Sequence, residues 1–350
     1  MSPRLVCRLL APFLAAAAGC TGRSGEGSGA PGSFKIGYVL HGLNDFTQVI
    51  KKGAEDAGRD LGVEVEVTGP AGFVATEAIG MFQAMVQKKK SGIVVVPQPG
   101  EVWVRPIREA VAARVPVVTA NVTSPGSAAS AWFGQDEHNS GVLLARSLRE
   151  ALEAEGILEG KIVVGMCAPG IDVLVARHNG LKQGLEGSKY VLAGPFDVTV
   201  ENTRNYGAWE SLAGAHKDMV AAVGLCSLDI PNMAKVKSRS GAKWLIAGYD
   251  LNLETLEAIR GGMAQVTVGQ HPYLQGYLPV RALVEHLREK KPLVTGWIDV
   301  GTEVVTKDNV ASVVEREGNE AAETSWYAKH MAAELKDLNA RRKPLPGAKE

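Results

Sequence analysis

From Phe34 onward the chain alternates short apolar runs with longer amphipathic stretches. Residues 35–40 (KIGYVL), 63–67, 92–96 (GIVVV), 116–120 (PVVTA) and 131–134 (AWFG) have the length and Val/Ile content of strands. Residues 47–61, 74–89 and 102–113 instead repeat apolar positions three and four apart, the spacing of one helix face. The rhythm restarts at 161–166 (KIVVGM) and continues through 190–196, 221–226 (AAVGLC) and 244–248 (WLIAG), with helical stretches between. Such alternation predicts βαβ units and parallel sheets. Apart from 63–67 (VEVEV), the runs lack polar alternation, so helices should cover both faces of the sheets. The expected fold class is α/β, with two doubly wound parallel-sheet lobes joined by a hinge.

Open parallel sheets bind ligands beyond the carboxyl ends of their strands, at the point where strand order switches. The residues after the expected strands are His41-Gly42-Leu43-Asn44-Asp45-Phe46, Pro97-Gln98-Pro99 and Asn121 in the first half. In the second they are Ala168-Pro169-Gly170-Ile171-Asp172, Phe196-Asp197, Ser227-Leu228-Asp229, Tyr249-Asp250 and Gln270-His271. Amides, carboxylates and aromatic rings recur. Asp172 and Asp229 also suit the first turn of a following helix, where a carboxylate caps backbone N–H groups. Asp250 fits either a cap or a ligand contact, and contact is favoured. Trp103 begins a helix whose apolar stripe includes Ile107 and Val111, so a place at the cleft rim and a place in the core are equally open.

Balanced charge changes the picture by exclusion. The 38 basic and 38 acidic residues, with 45% hydrophobic residues, describe a globular body with no field for nucleic acid. The seven histidines show no metal-ligand spacing, and His271 before Pro272 reads as a turn residue. No G-x-G-x-x-G follows an expected strand, its one occurrence at Gly27–Gly32 falling in the Gly/Ser-rich stretch before the first of them, and no phosphate-cradling loop or G-x-S-x-G elbow is present. An enzyme on this fold is therefore disfavoured. A repressor core would need an N-terminal helix-turn-helix, where this chain has an export-type segment.

That segment runs from basic residues at Arg4 and Arg8 through an apolar stretch to Ala17-Ala18-Gly19-Cys20. The stretch is about a dozen residues, short of the ~20 that span a bilayer as a helix. Ala17-Ala18-Gly19-Cys20 resembles the lipobox of bacterial lipoproteins, with Ala17 where Leu is usual. The resemblance implies lipid attachment at Cys20 after cleavage and a membrane partner through that anchor; the alternative is an ordinary secretory signal. The Gly/Ser-rich residues 21–33 read as a flexible tether. Of the four cysteines, Cys7 and Cys20 belong to the leader, leaving Cys167 and Cys226. A bridge is open to them outside the cytoplasm. Neighbouring parallel strands seldom give its geometry, so two small buried thiols are expected.

Six segments in order, K-I-G-Y-V-L-H-G-L-N-D-F, G-I-V-V-V-P, P-V-V-T-A-N, Arg177-His178-Asn179-Gly180-Leu181, Ile246-Ala247-Gly248-Tyr249-Asp250 and 264–270, resemble the ribose-type branch of type I periplasmic solute-binding proteins. The likeness covers residues 35–307. It implies a binding cleft with Asn44, Asp45, Phe46 and Asn121 from the first lobe and Arg177, Phe196, Ser227, Asp229, Asp250 and Gln270 from the second. Arg177 read alone also suits a helix surface. Amides, carboxylates and an Arg fork match the donor-acceptor pattern of a polyol, and Phe46 and Phe196 could cover its apolar faces. Sugar binders commonly carry Asp-Arg where this chain has Asn121-Val122, which implies a different hydroxyl pattern.

The resemblance further implies an extracytoplasmic protein that captures a sugar-like solute without a cofactor and presents it to the permease of an ABC importer. A sensor feeding a membrane receptor is the alternative. The expected organisation is a leader at 1–20, linker at 21–33, first lobe from 34–136 plus 271–294 and second lobe from 137–270 plus 295–307. Hinges are expected near Gln135-Asp136 and Gln270-His271. Residues 308–350 should form an outer helix bearing Trp326, Tyr327, Met331 and Leu335, ending in a disordered tail from Arg341 to Pro346.

Overall fold

The computed structural model describes residues 34–344. The leader, Cys20 and the linker at 21–33 lie outside them. The first lobe begins β1 (Lys35–Val39), α1 (Asp45–Leu61), β2 (Glu64–Thr68), α2 (Ala75–Gln87), β3 (Gly92–Val95), α3 (Val104–Ala112), β4 (Val117–Ala120) and β5 (Ala131–Gly134). The second comprises α4 (Glu137–Ala154), β6 (Glu159–Met166), α5 (Asp172–Gly184), β7 (Lys189–Asp197), α6 (Asn202–Ala215), β8 (Met219–Gly224), α7 (Asp229–Ser240), β9 (Leu245–Tyr249), α8 (Leu253–Arg260) and β10 (Val266–Gly269). The chain then returns through α9 (Pro272–Glu289) and β11 (Gly296–Asp299), crosses to β12 (Glu303–Thr306) and α10 (Val310–Glu317), and ends in α11 (Glu320–Glu334) and β13 (Arg342–Lys343).

The sheets run β13-β11-β5-β4-β3-β1-β2 and β12-β10-β9-β8-β6-β7. All pairings are parallel except β13 on β11 and β12 on β10, both at sheet edges. Each sheet is buried between two apolar layers. In the first lobe Ile50, Ala54, Leu274 and Leu278 cover one face and Phe82, Met85, Trp103 and Ile107 the other. Trp103 is fully buried edge-on to Phe82, which settles it as core. In the second lobe Leu144, Leu148 and Leu181 oppose Ile230, Met233 and Leu256 across the sheet. Strands sandwiched on both faces have no polar positions to alternate, which accounts for their continuous apolar sequence.

Two glycine pairs set how closely the covering helices approach. A Cβ on Gly53 of α1 would meet the Tyr273 carbonyl of α9, and one on Gly276 would meet that of Ile50. Gly141 of α4 and Gly180 of α5 repeat the arrangement in the second lobe, against the Arg177 and His138 carbonyls.

Three expectations are corrected. β11 pairs with β5, so residues 296–299 belong to the first sheet, and the third crossing between lobes lies at Val300–Thr302. The cause is Gly296–Asp299 continuing the parallel ladder beside Ala131–Gly134. Arg342–Lys343 is an antiparallel edge strand on β11 rather than a disordered tail, held by an ion pair and a Lys343 cation over the Trp297 ring. Cys167 and Cys226 form a disulfide. They stand two residues past the last Gly165–Gly224 pairing of β6 and β8, beyond the constraint of the ladder, with Cα atoms 6.1 Å apart.

Candidate functional site

In both sheets the strand order reverses beside the first strand of the lobe, between β1 and β3 and between β6 and β8. The loops after these strands face one another across a cleft of about 680 Å³. Its walls include His41, Asp45, Phe46, Asn121, Cys167, Arg177, Ser227, Asp250 and Gln270.

At the base a chain of buried side chains runs from one lobe to the other. Asn121 Nδ2 donates to Gln270 Oε1 at 3.2 Å and to Gln275 Oε1 at 3.0 Å. Gln270 Nε2 donates to Asp250 Oδ1 at 2.7 Å, and Gln275 Nε2 to the Gln270 carbonyl at 2.7 Å. Arg177 Nε donates to Glu137 Oε2 at 2.6 Å and Nη1 to the Leu225 carbonyl at 2.8 Å, while the guanidinium lies 4.1 Å from the centre of the Tyr249 ring. Gln135 Nε2 donates to the same Glu137 oxygen at 2.8 Å. Among the described residues these bonds leave Asn121 Oδ1, Asp250 Oδ2 and Arg177 Nη2 without a partner.

Burial disfavours the Arg177 cation, and the Glu137 carboxylate more than offsets it, so its pKa is raised. Asp250 is pushed up by burial and held back by Arg177 and the Gln270 donor. Asn121 and Asp250 both have positive φ, of 59° and 74°, which turns each side chain back over the strand end. Asn and Asp tolerate that left-handed backbone better than other non-glycine residues. Asp250 does not cap the next helix, since Asn252 accepts the Thr255 N–H instead.

Eight of the expected residues line the cleft: Asn44, Asp45, Phe46, Asn121, Arg177, Ser227, Asp250 and Gln270. Asn44 is also the N-cap of α1, in a reciprocal capping box with Thr47 that occupies its side-chain oxygen. Phe196 and Asp229 are not among the lining residues, which corrects two assignments. Phe196 packs into the second lobe, its ring 5.3 Å from that of His216. Asp229 is fully buried and accepts Asn205 Nδ2, Trp209 Nε1 and the Cys226 N–H at 2.8–2.9 Å. It anchors the loop that presents Ser227. Burial pushes its pKa up to about 6, against those three donors. Nor does Asp172 cap α5, whose N-cap is Ile171.

The sequence pattern missed Glu137, Gln275 and His41. Glu137 resembles any acidic residue in a helix first turn, and Gln275 any polar helical position. His41 sits in the loop after the first strand but carries no distinguishing spacing. It is buried with Nδ1 unpartnered, lies 4.9 Å from the Phe73 ring, and has its pKa lowered by burial to about 4.

A family model described as a periplasmic binding protein domain matches residues 36–291. Curated relatives include a xylose/arabinose-binding protein of Sulfolobus acidocaldarius, 22% identical over 84% of this chain and 76% of its own. A ribose import binding protein of Bacillus subtilis is 22% identical over 75% of this chain and 85% of its own. Among solved structures, a solute-binding protein from Burkholderia graminis in complex with D-arabinose superposes with a TM-score of 0.76 at 21% identity, covering 81% of this chain and 99% of that one. A glucose-galactose binding protein from Geobacillus stearothermophilus gives 0.70 at 25% identity, covering 79% and 98%. With two doubly wound lobes, a cleft at both switch points and a domain match over most of its length, the chain belongs to the periplasmic binding proteins, in their type I, ribose-type branch.

Proposed function

We propose that this protein captures a neutral polyhydroxylated solute, a sugar or related polyol, in the interlobe cleft outside the cytoplasm and delivers it to an ABC importer. The observation that carries this reading is the chain Asn121–Gln270–Asp250 with Arg177 beside it, whose spare acceptors and donor face the cleft from both lobes. A hydroxyl both donates and accepts, so a polyol satisfies such a set without bringing charge. Arg177 is already neutralised by Glu137, which removes the demand for an anionic solute. The names of the relatives, which bind xylose, arabinose or ribose, support the same class. Binding calls for no catalytic group. We assign ligand contacts to Asn121, Arg177, Ser227, Asp250 and Gln270, with Phe46 and His41 packing on the solute from the first lobe.

The test is thermal unfolding of the mature protein against pentoses, hexoses, cyclitols and furanosyl signals. A true ligand at a hundred times its Kd stabilises by about 2.7 kcal/mol. A flat response across the panel, or turnover of any member, overturns the reading. The lipid anchor at Cys20 is a separate part of the proposal. It rests on the lipobox-like run and the tether, and two or three acyl chains would hold the protein at the membrane. Cys20→Ser should release it into the soluble fraction, and persistent membrane association would remove the anchor.

A further inference from the structure

The family domain ends at residue 291, and the solved relatives are matched nearly end to end by about four fifths of this chain. The remaining fifth is about the size of the two terminal segments together. The C-terminal one packs on both lobes. α10 packs on α8, with Val310 and Val313 in the second-lobe core. α11 lies on the first lobe, with Tyr327 stacked 4.5 Å from Tyr273, Leu335 buried, and Arg281 donating to the Leu335 and Lys336 carbonyls. Gly318-Asn319 alone joins the two helices, so the chain crosses between the lobes a fourth time.

This crossing is built into the hinge and into the cleft. Arg316 is buried, holds Glu303 and Glu317 at 2.7 Å, and lies 4.2 Å from the Trp326 ring centre. Trp326 in turn stacks on His271, at the crossing between β10 and α9, with ring centres 5.6 Å apart. Tyr327, Glu323 and Glu317 line the cleft. Lys52 of α1 joins them by an ion pair with Glu323 at 3.4 Å. Two residues of extended chain span only about 7 Å, so the docked helices leave little slack.

We propose that residues 310–334 form a third wall of the solute cleft and a fixed tie between the lobes, making this segment a determinant of which solutes are admitted. The wall closes the flank between α1 and α8, favouring a compact solute such as a single sugar ring over one that extends past that flank. Its effect on solutes rests on the sugar reading above, whereas the tie does not.

The test uses the whole mature protein with an insertion of about eight Gly/Ser residues between Gly318 and Asn319, a linker of ~15 Å mean span. Both helices keep their beds while the tie is slackened. Small-angle scattering without solute should give a larger radius of gyration than wild type; an equal radius overturns the tie. Calorimetric titration with D-ribose, D-arabinose, D-xylose, D-allose and matching disaccharides forms the second arm. Wild type should bind single rings only, while the insertion, and separately Glu317→Gln and Glu323→Gln, should reorder the sugars or weaken the best by about tenfold, an easily resolved change. The point variants guard against an insertion that fails to fold. An unchanged order and affinity in all variants overturns the wall. If wild type binds no sugar the solute reading fails, and scattering still decides the tie.

Discussion

At the scale of the residue, two aspartates that look alike in sequence do different things. Asp229 has both carboxylate oxygens engaged by groups of its own lobe, whereas Asp250 has one engaged and one directed to the cleft. Asp250→Ala should therefore abolish the thermal stabilisation by solute, read by scanning fluorimetry with the ligand found in the screen. Asp229→Ala should instead lower stability by about 2–4 kcal/mol, because it strands three buried donors, which equilibrium urea unfolding measures. Either residue giving the other's result would exchange their roles. His271 carries a pH signature. Burial lowers its pKa to about 4 from the ordinary 6.5, with Glu303, Asp299, Arg316 and His330 as its charged or titratable neighbours. Below pH 6.5 the unfolded chain takes up a proton that the folded one refuses, so stability falls as pH drops toward 4, by up to about 3 kcal/mol for this group. His41 follows the same course, and Asp229 opposes it between pH 4 and 6. Both are common to wild type and His271→Gln, so they cancel in the comparison. The variant should lose less stability than wild type between pH 7 and pH 4.5, and parallel losses would contradict this account of His271.

At the scale of the element, the strands and helices were legible because their signals are local. Residues 131–134 were placed to the residue, and other ends shifted by a position or two, as expected where caps decide the boundary. Helix pairing was not legible. Gly53 and Gly276 read as weak helix formers, yet they let α1 and α9 touch backbone to backbone. Gly53→Ala should cost about 1–3 kcal/mol by forcing the helices apart, against a gain of up to ~1 kcal/mol from helix propensity. Urea unfolding decides the sign, and a stabilised variant would contradict the close contact. The disulfide is illegible for a related reason. The expectation treated Cys167 and Cys226 as parts of adjacent strands, whereas they sit where two loops diverge at the switch point.

For the whole molecule, the crossings at Gln135–Asp136, Gln270–His271 and Val300–Thr302 lie close together, with Thr302 Oγ1 donating to Gln135 Oε1 at 3.1 Å and Gly301 beside the His271 ring. Rotation there can bring the lobes together on a solute that contacts both. Adding the solute found by the thermal screen should shrink the radius of gyration of the protein with the Gly318–Asn319 insertion more than that of wild type, whose fourth crossing restrains opening, and an unchanged radius in both would argue against closure. Sequence by itself determined the α/β class, the two lobes, the family and the loops that carry the cleft, since each follows from short-range periodicity or from motif order. Tertiary structure decided which loop residues face the cleft. Glu137 meets Arg177 across 40 positions and Asn121 meets Gln275 across 154. No local pattern encodes such pairs, because they exist only once the sheets have twisted and the helices have packed. The C-terminal segment shows the same division: its helical, apolar spacing was readable, but its span from one lobe to the other was set by where the two cores left room for it.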